Sequence, residues 1–95
     1  LSEVISSRTV PLPAKDVLST EVSGAAVLMS MDSGKFIELN ETGRDIWKLT
    51  DGSTSVSQIV DTLQEQYDVA HDHCLAEVVA LYRKLHEEGL VEISS

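Results

Sequence analysis

The stretch AHDHC, residues 70–74, gathers His71, Asp72, His73 and Cys74 within five positions. Imidazole nitrogen and thiolate sulfur are common zinc ligands, and a thiolate beside an imidazole is a nucleophile pair. On a helix His71 and Cys74 lie about one turn apart, which suits two ligands of one ion. His73 points elsewhere, however, and no second cluster completes a set of four ligands. No oxyanion-forming turn and no third orienting group accompanies the Cys–His pair. Glu87 and Glu88 read as solvated helix surface, and no Gly-rich phosphate loop occurs. The sequence thus holds no catalytic set. No metal or other cofactor is expected, and a non-catalytic binding module is the better class.

Charge narrows what could be bound. Sixteen acidic residues against seven basic ones leave a formal charge of −9 over 95 residues. Nucleic acid and anionic membrane both require clustered Lys and Arg, so neither is an expected partner. No apolar run approaches the roughly 18 residues that span a bilayer. Cys74 is the single cysteine, which precludes an internal disulfide and suits a reducing, cytoplasmic setting. Leu1 in place of a starting Met reads as a processing boundary, and no basic-then-apolar leader marks the chain for export. The length suits one domain able to bury its own core.

Within that domain, residues 1–14 read as an extended lead-in, because Pro11 and Pro13 flank Leu12 and disfavour helix. Residues 15–22, 25–31 and 35–39 suit three strands, with turn signals at Ser23-Gly24 and Asp32-Ser33-Gly34. Short turns imply an antiparallel meander. The period then changes. Asn40 can cap a short helix to Leu49 with Glu41 in its first turn. Ser55 and Gln58 form a capping-box pattern, and Val56, Ile59, Val60, Leu63 and Tyr67 follow at helical spacing. Asp72 is positioned to cap a third helix that Gly89 ends, and residues 90–93 suit a final short strand. The expected class is α+β: a three-stranded antiparallel sheet, three helices and a last strand over residues 15–93. Two helices joined by a short turn beside a β-hairpin describe a winged helix-turn-helix.

That arrangement often binds DNA through its third helix. Between Thr50 and Tyr82, however, there are six acids and no Lys or Arg, which disfavours a phosphate-facing surface. The third helix instead carries an excess of apolar surface. Cys74, Val78, Leu81 and Leu85 form one stripe, and Leu75, Val79, Tyr82 and His86 form a second beside it. Together they cover about 160° where a surface helix needs nearer 100°. Either the helix is deeply embedded, or one stripe faces the core and the other lines a groove. Arg83 borders Leu75, Val79 and Tyr82, which favours that stripe as the groove, with Arg83 meeting an acidic ligand. The strand over residues 35–39 can lie at an edge of the meander, its backbone groups open to an added strand. Phe36 then either packs on the hairpin or serves that guest.

The segments LNETGRDIWKLTDG, QIVDTLQEQYDV and EVVALYRKLHEEGLVEI resemble the PqqD-like family, which includes recognition elements of ribosomally made, modified peptide pathways. The resemblance covers about residues 15–93. It implies a protein that binds the leader segment of a precursor peptide as a strand beside the third β-strand and the third helix. The leader backbone would then pair with Lys35, Phe36, Ile37, Glu38 and Leu39. Its apolar side chains would sit among Phe36, Leu75, Val79 and Tyr82, with His86 on the same stripe. Lys35 and Arg83 would meet acidic leader groups. The hairpin most resembles free-standing leader-binding proteins of lasso peptide clusters, whose implied partners are a cysteine leader peptidase and an ATP-dependent cyclase. The alternative that the family implies is a quinone-pathway chaperone serving a radical iron–sulfur enzyme.

Overall fold

The computed structural model describes residues 5–94. Five strands and three helices follow in order: β1 (Val10–Pro13), β2 (Val17–Val22), β3 (Ala25–Ser30), β4 (Phe36–Leu39), α1 (Glu41–Lys48), α2 (Val56–Gln66), α3 (His71–Glu87) and β5 (Val91–Ser94). The expected α+β order is present, with a three-stranded antiparallel sheet in the order β2-β3-β4. The turn between β2 and β3 has positive φ at both Ser23 and Gly24, at 51° and 83°. Two such residues give the twist that a two-residue hairpin requires.

The lead-in is more than extended chain. Its residues 10–13 form β1 and pair antiparallel with β5, from Val10 opposite Ser94 to Pro13 opposite Val91. Prolines are tolerated there because, among the described residues, β1 has one neighbour in its sheet. Residues just before β1 also serve α2. The carbonyls of Thr9 and Ser7 accept from the N–H groups of Val56 and Ser57 at 2.8 and 2.9 Å. Two of the donors that a helix start leaves unpaired are thereby satisfied.

The helix starts follow local chemistry. Asn40 Oδ1 accepts from the Gly43 N–H at 2.8 Å, as its type predicts. Ser55 and Gln58 close a reciprocal capping box on α2. The third helix differs from expectation: extended Ala70 is its N-cap, with no side-chain hydrogen bond, and Asp72 lies inside the first turn. There its carboxylate favours the helix start through the macrodipole rather than as a cap.

One core joins sheet and helices. Ala26, Leu28, Ile37 and Leu39 from the sheet meet Ile46, the α2 face of Val56, Ile59, Val60 and Leu63, and the α3 face of Cys74, Val78, Tyr82 and Leu85. Strand alternation explains the sheet's share: β4 reads exposed, buried, exposed, buried from Phe36 to Leu39. Ile37 and Leu39 therefore point inward, and Phe36 and Glu38 point out.

Candidate peptide-binding cleft

Strand β4 has β3 on one side and no strand on the other among the described residues. Which of its backbone groups stay open follows from the ladder. The Ser30 N–H donates to the Lys35 carbonyl at 2.9 Å, so this facing pair is a hydrogen-bonded one. Antiparallel pairs alternate, which makes Leu28–Ile37 and Ala26–Leu39 hydrogen-bonded too. The N–H and C=O groups of Phe36 and Glu38 then turn to the free edge. Side chains and backbone thus alternate together, and the two residues exposed on the sheet's outer face are also those with open backbone.

Phe36 is 60% exposed and opposes Met29, which in turn opposes Leu18. These three exposed apolar residues form a row across the outer face, so Phe36 is not packed under the hairpin. Lys35, just before β4, reaches Glu88 with its ammonium 3.9 Å from a carboxylate oxygen. This contact brings α3 alongside the strand. Between them, a cleft of about 290 Å³ is lined by Glu38, Leu39, Asn40, Thr42, Gly43, Ile46, Glu77, Ala80 and Leu81.

The α3 wall of the cleft is not the stripe favoured from the sequence. With Glu77 at zero and about 100° per residue, Leu81 and Glu88 lie near 40° and 20°, and Ala80 near 300°. The buried face, Cys74, Val78, Tyr82 and Leu85, centres near 95° on the same scale. Leu75 and Val79 lie beyond that face, half-buried and packed against the core from its far flank. His86 shares their side and Arg83 is further round and exposed. Of the expected residues, the structure places Glu38 and Leu39 in the cleft lining, with Phe36 on the outer face of the same strand and Lys35 just before it, and leaves Leu75, Val79, Arg83 and His86 outside it. Ile37 serves it from within, as core.

Tyr82 is placed in the core, fully buried. Its hydroxyl shares a hydrogen bond with Thr50 Oγ1, which also reaches the Ile46 carbonyl at 2.8 Å. A phenol needs a partner when buried, and Thr50 supplies it. Burial pushes the Tyr82 pKa up to about 12, opposed in part by the Thr50 hydrogen bond. Leu81, expected in the core stripe, is half-buried, packs against the core and also lines the cleft. Thr42, Gly43, Ile46, Glu77 and Ala80 were not among the expected lining. Their one sequence signal was the spacing of Glu77, Leu81 and Glu88, which places an acid-flanked leucine on the side of α3 that Lys35 meets.

A second cleft of about 190 Å³ adjoins the first and shares Thr42 and Glu77 with it. Leu63, Tyr67, Val69, His73 and Cys74 complete its lining. One side of it is held by a polar network. The Tyr67 hydroxyl donates to Asp45, and Arg44 Nη2 lies 3.2 Å from the same carboxylate. Arg44 Nη1 also donates to the Gly24 carbonyl at 3.0 Å, which ties α1 to the hairpin. The Tyr67 hydrogen bond, assisted by Arg44, holds the Asp45 carboxyl below its ordinary range. The same bond raises the Tyr67 phenol.

These shifts set the sign of a pH effect. A depressed Asp45 contributes stability above the unfolded carboxyl range and loses it as pH falls through the folded value. A raised Tyr67 contributes below about pH 10 and loses it as pH rises further. Tyr67→Phe is therefore expected to shallow both the acid and the alkaline limbs of a melting-temperature profile against pH. Equal loss at every pH would show packing rather than the hydrogen bond.

The AHDHC residues separate in the fold. His71 Nδ1 lies 3.4 Å from Asp72, and His73 Nε2 lies 2.6 Å from Glu77 Oε1. Cys74 is buried, and burial pushes its thiol pKa up. Among the described residues no group of three or more His, Cys, Asp or Glu side chains is arranged to hold a metal ion. Nor is any described helix long and apolar enough to cross a membrane.

Residues 25–91 match the family described as coenzyme PQQ synthesis protein D (PqqD). Two solved structures share the fold. One is TbiB1 in complex with the TbiA(beta) leader peptide, with a TM-score of 0.79 at 23% identity, covering 85% of this chain and 94% of that one. The other is a lasso peptide synthetase B1 complexed with the leader peptide, with a TM-score of 0.78 at 20% identity, covering 87% and 98%. No curated protein matches the chain.

Proposed function

Because the chain belongs to the PqqD family, we propose that it is a non-catalytic recognition element that binds the leader segment of a ribosomally made precursor peptide. The observation that carries this reading is the open β4 edge, with Phe36 and Glu38 turned outward beside the apolar cleft of α3. An extended peptide satisfies those backbone groups by strand addition, and the cleft accepts an apolar side chain. Support also comes from the two structures of like fold, each of which holds a leader peptide. The arrangement is read as a winged helix-turn-helix put to peptide use. In a cytoplasmic lasso pathway it would deliver the precursor to a leader peptidase and a cyclase. Docking costs the disordered leader conformational freedom, and tethering then raises the precursor's effective concentration at the enzymes.

Amide hydrogen exchange on the isotope-labelled protein tests the binding mode. The titrant is a synthetic peptide of the leader encoded in the neighbouring genes. Protection is expected to rise at the Phe36 and Glu38 amides, while Ile37 and Leu39, already bonded to β3, change little. Binding with no gain at Phe36 and Glu38 would rule out strand addition at β4. Absence of binding would remove the leader reading itself.

A further inference from the structure

The two clefts form one path. The first begins at Glu38 and Leu39, the end of the open strand, and runs to Thr42 and Glu77. The second begins at the same two residues and continues between Leu63, Tyr67, Val69 and Cys74. A peptide laid on β4 and continued past Leu39 meets an apolar floor, then the Thr42–Glu77 divide, then a second apolar floor. Leu39, Ile46, Ala80 and Leu81 supply the first, and Leu63, Val69 and the Tyr67 ring supply the second.

Carboxylates face this path, with one imidazole, His73, beside Glu77 in the second cleft. Glu38 lines the first cleft and Glu77 lines both, and no Lys or Arg lines either. Glu77 Oε1 lies 2.6 Å from His73 Nε2, and its side chain is 54% exposed. Arg44 and Lys48, the cations of α1, are engaged elsewhere: Arg44 meets Asp45 and Glu21, and Lys48 meets Glu21. Lys35, just before the other end of β4, lies outside both linings, against Glu88.

We infer that the peptide site continues beyond β4 into the second cleft, and that Glu77, between the two, selects a basic residue flanked by two apolar ones in the bound peptide. This rests on the reading of the cleft as a peptide site. It reverses the acidic ligand expected from Arg83, which lies on another side of α3.

The test is display selection from a random library of twelve-residue peptides. It uses the wild-type chain, Glu77→Gln, and Val69→Trp, which fills the second cleft from a half-buried position. Circular dichroism melting first establishes that each variant is folded. The wild type is expected to select an apolar–basic–apolar pattern. Lys and Arg should exceed Asp and Glu at the middle position by about fivefold, as a partly exposed ion pair allows. Glu77→Gln should bring that ratio to about one while keeping both apolar positions. Val69→Trp should remove only the outer apolar preference. An apolar consensus with no basic preference, or one that Glu77→Gln leaves unchanged, overturns the role of Glu77. An outer apolar preference that survives Val69→Trp overturns the second cleft. If the wild type enriches no common pattern at all, the failure lies with the peptide site itself.

Discussion

Tyr82→Ala is expected to lower the free energy of unfolding by about 3–5 kcal/mol, the range for deleting a large buried aromatic side chain. Tyr82 is fully buried, and its ring sits in the core that joins the sheet to α2 and α3. The substitution leaves a cavity and strips Thr50 of its phenol partner. A domain of this size commonly holds only about 5–15 kcal/mol in total, so much of the margin goes with one side chain. Any loss of leader binding in this variant would then follow from unfolding. Tyr82→Phe separates the contributions. It keeps the ring, and Thr50 still donates to the Ile46 carbonyl, so it should cost about 1 kcal/mol, the net worth of one hydrogen bond. Urea titration followed by circular dichroism measures both. If Tyr82→Ala kept its stability and lost only affinity, the side chain would belong to the cleft and the core assignment would be wrong.

Glu38→Pro should separate binding from folding in the opposite sense. The Glu38 N–H faces the free edge, so a proline there removes no bond to β3, and prolines are tolerated on edge strands for that reason. The fold should survive with nearly the wild-type melting temperature. The added strand, however, loses a donor and meets the pyrrolidine ring. Leader affinity is expected to fall by more than tenfold, since one lost hydrogen bond of about 1.4 kcal/mol already accounts for a factor of ten. Ile37→Pro is the contrasting variant. Its N–H is committed to Leu28 in the ladder and its side chain is core, so the cost should appear as about 3 kcal/mol or more of stability. Calorimetric binding and thermal melts of the two variants give the comparison. Equal affinity in Glu38→Pro and wild type would exclude β4 as the guest's partner.

Much of this architecture is legible from residue chemistry alone. Caps at Asn40 and Ser55, the stop at Gly89 and the alternation in β4 are local, and local chemistry decides them. The pairing of β1 with β5 was not legible, because its contact spans nearly the whole sequence and prolines argue against strand. At α3, periodicity correctly registers that the helix carries more apolar surface than a surface helix needs. It fails to rank the stripes, since Tyr82 and Leu81 look alike as apolar residues at helical spacing. What sorts them lies elsewhere in the chain: Thr50 waits at the end of the Tyr82 ring, and Leu81 faces an edge strand rather than a neighbour. Arg83 lies on another side of α3 from this cleft, and a flanking charge points to a ligand only when its side of the helix borders the cleft.

The clasp of β1 on β5 bears on how far the domain can be trimmed. Val10 and Ser94 are register partners, so the first and last strands of the described fold lie side by side. A strand pair that joins the two chain-distant parts of the fold closes the domain on itself, and residues 5–9, which precede it, are fixed in turn by their contacts with the start of α2 and the core. Removing residues 5–9 would therefore unpair two N–H groups at the start of α2 as well as uncover part of the core.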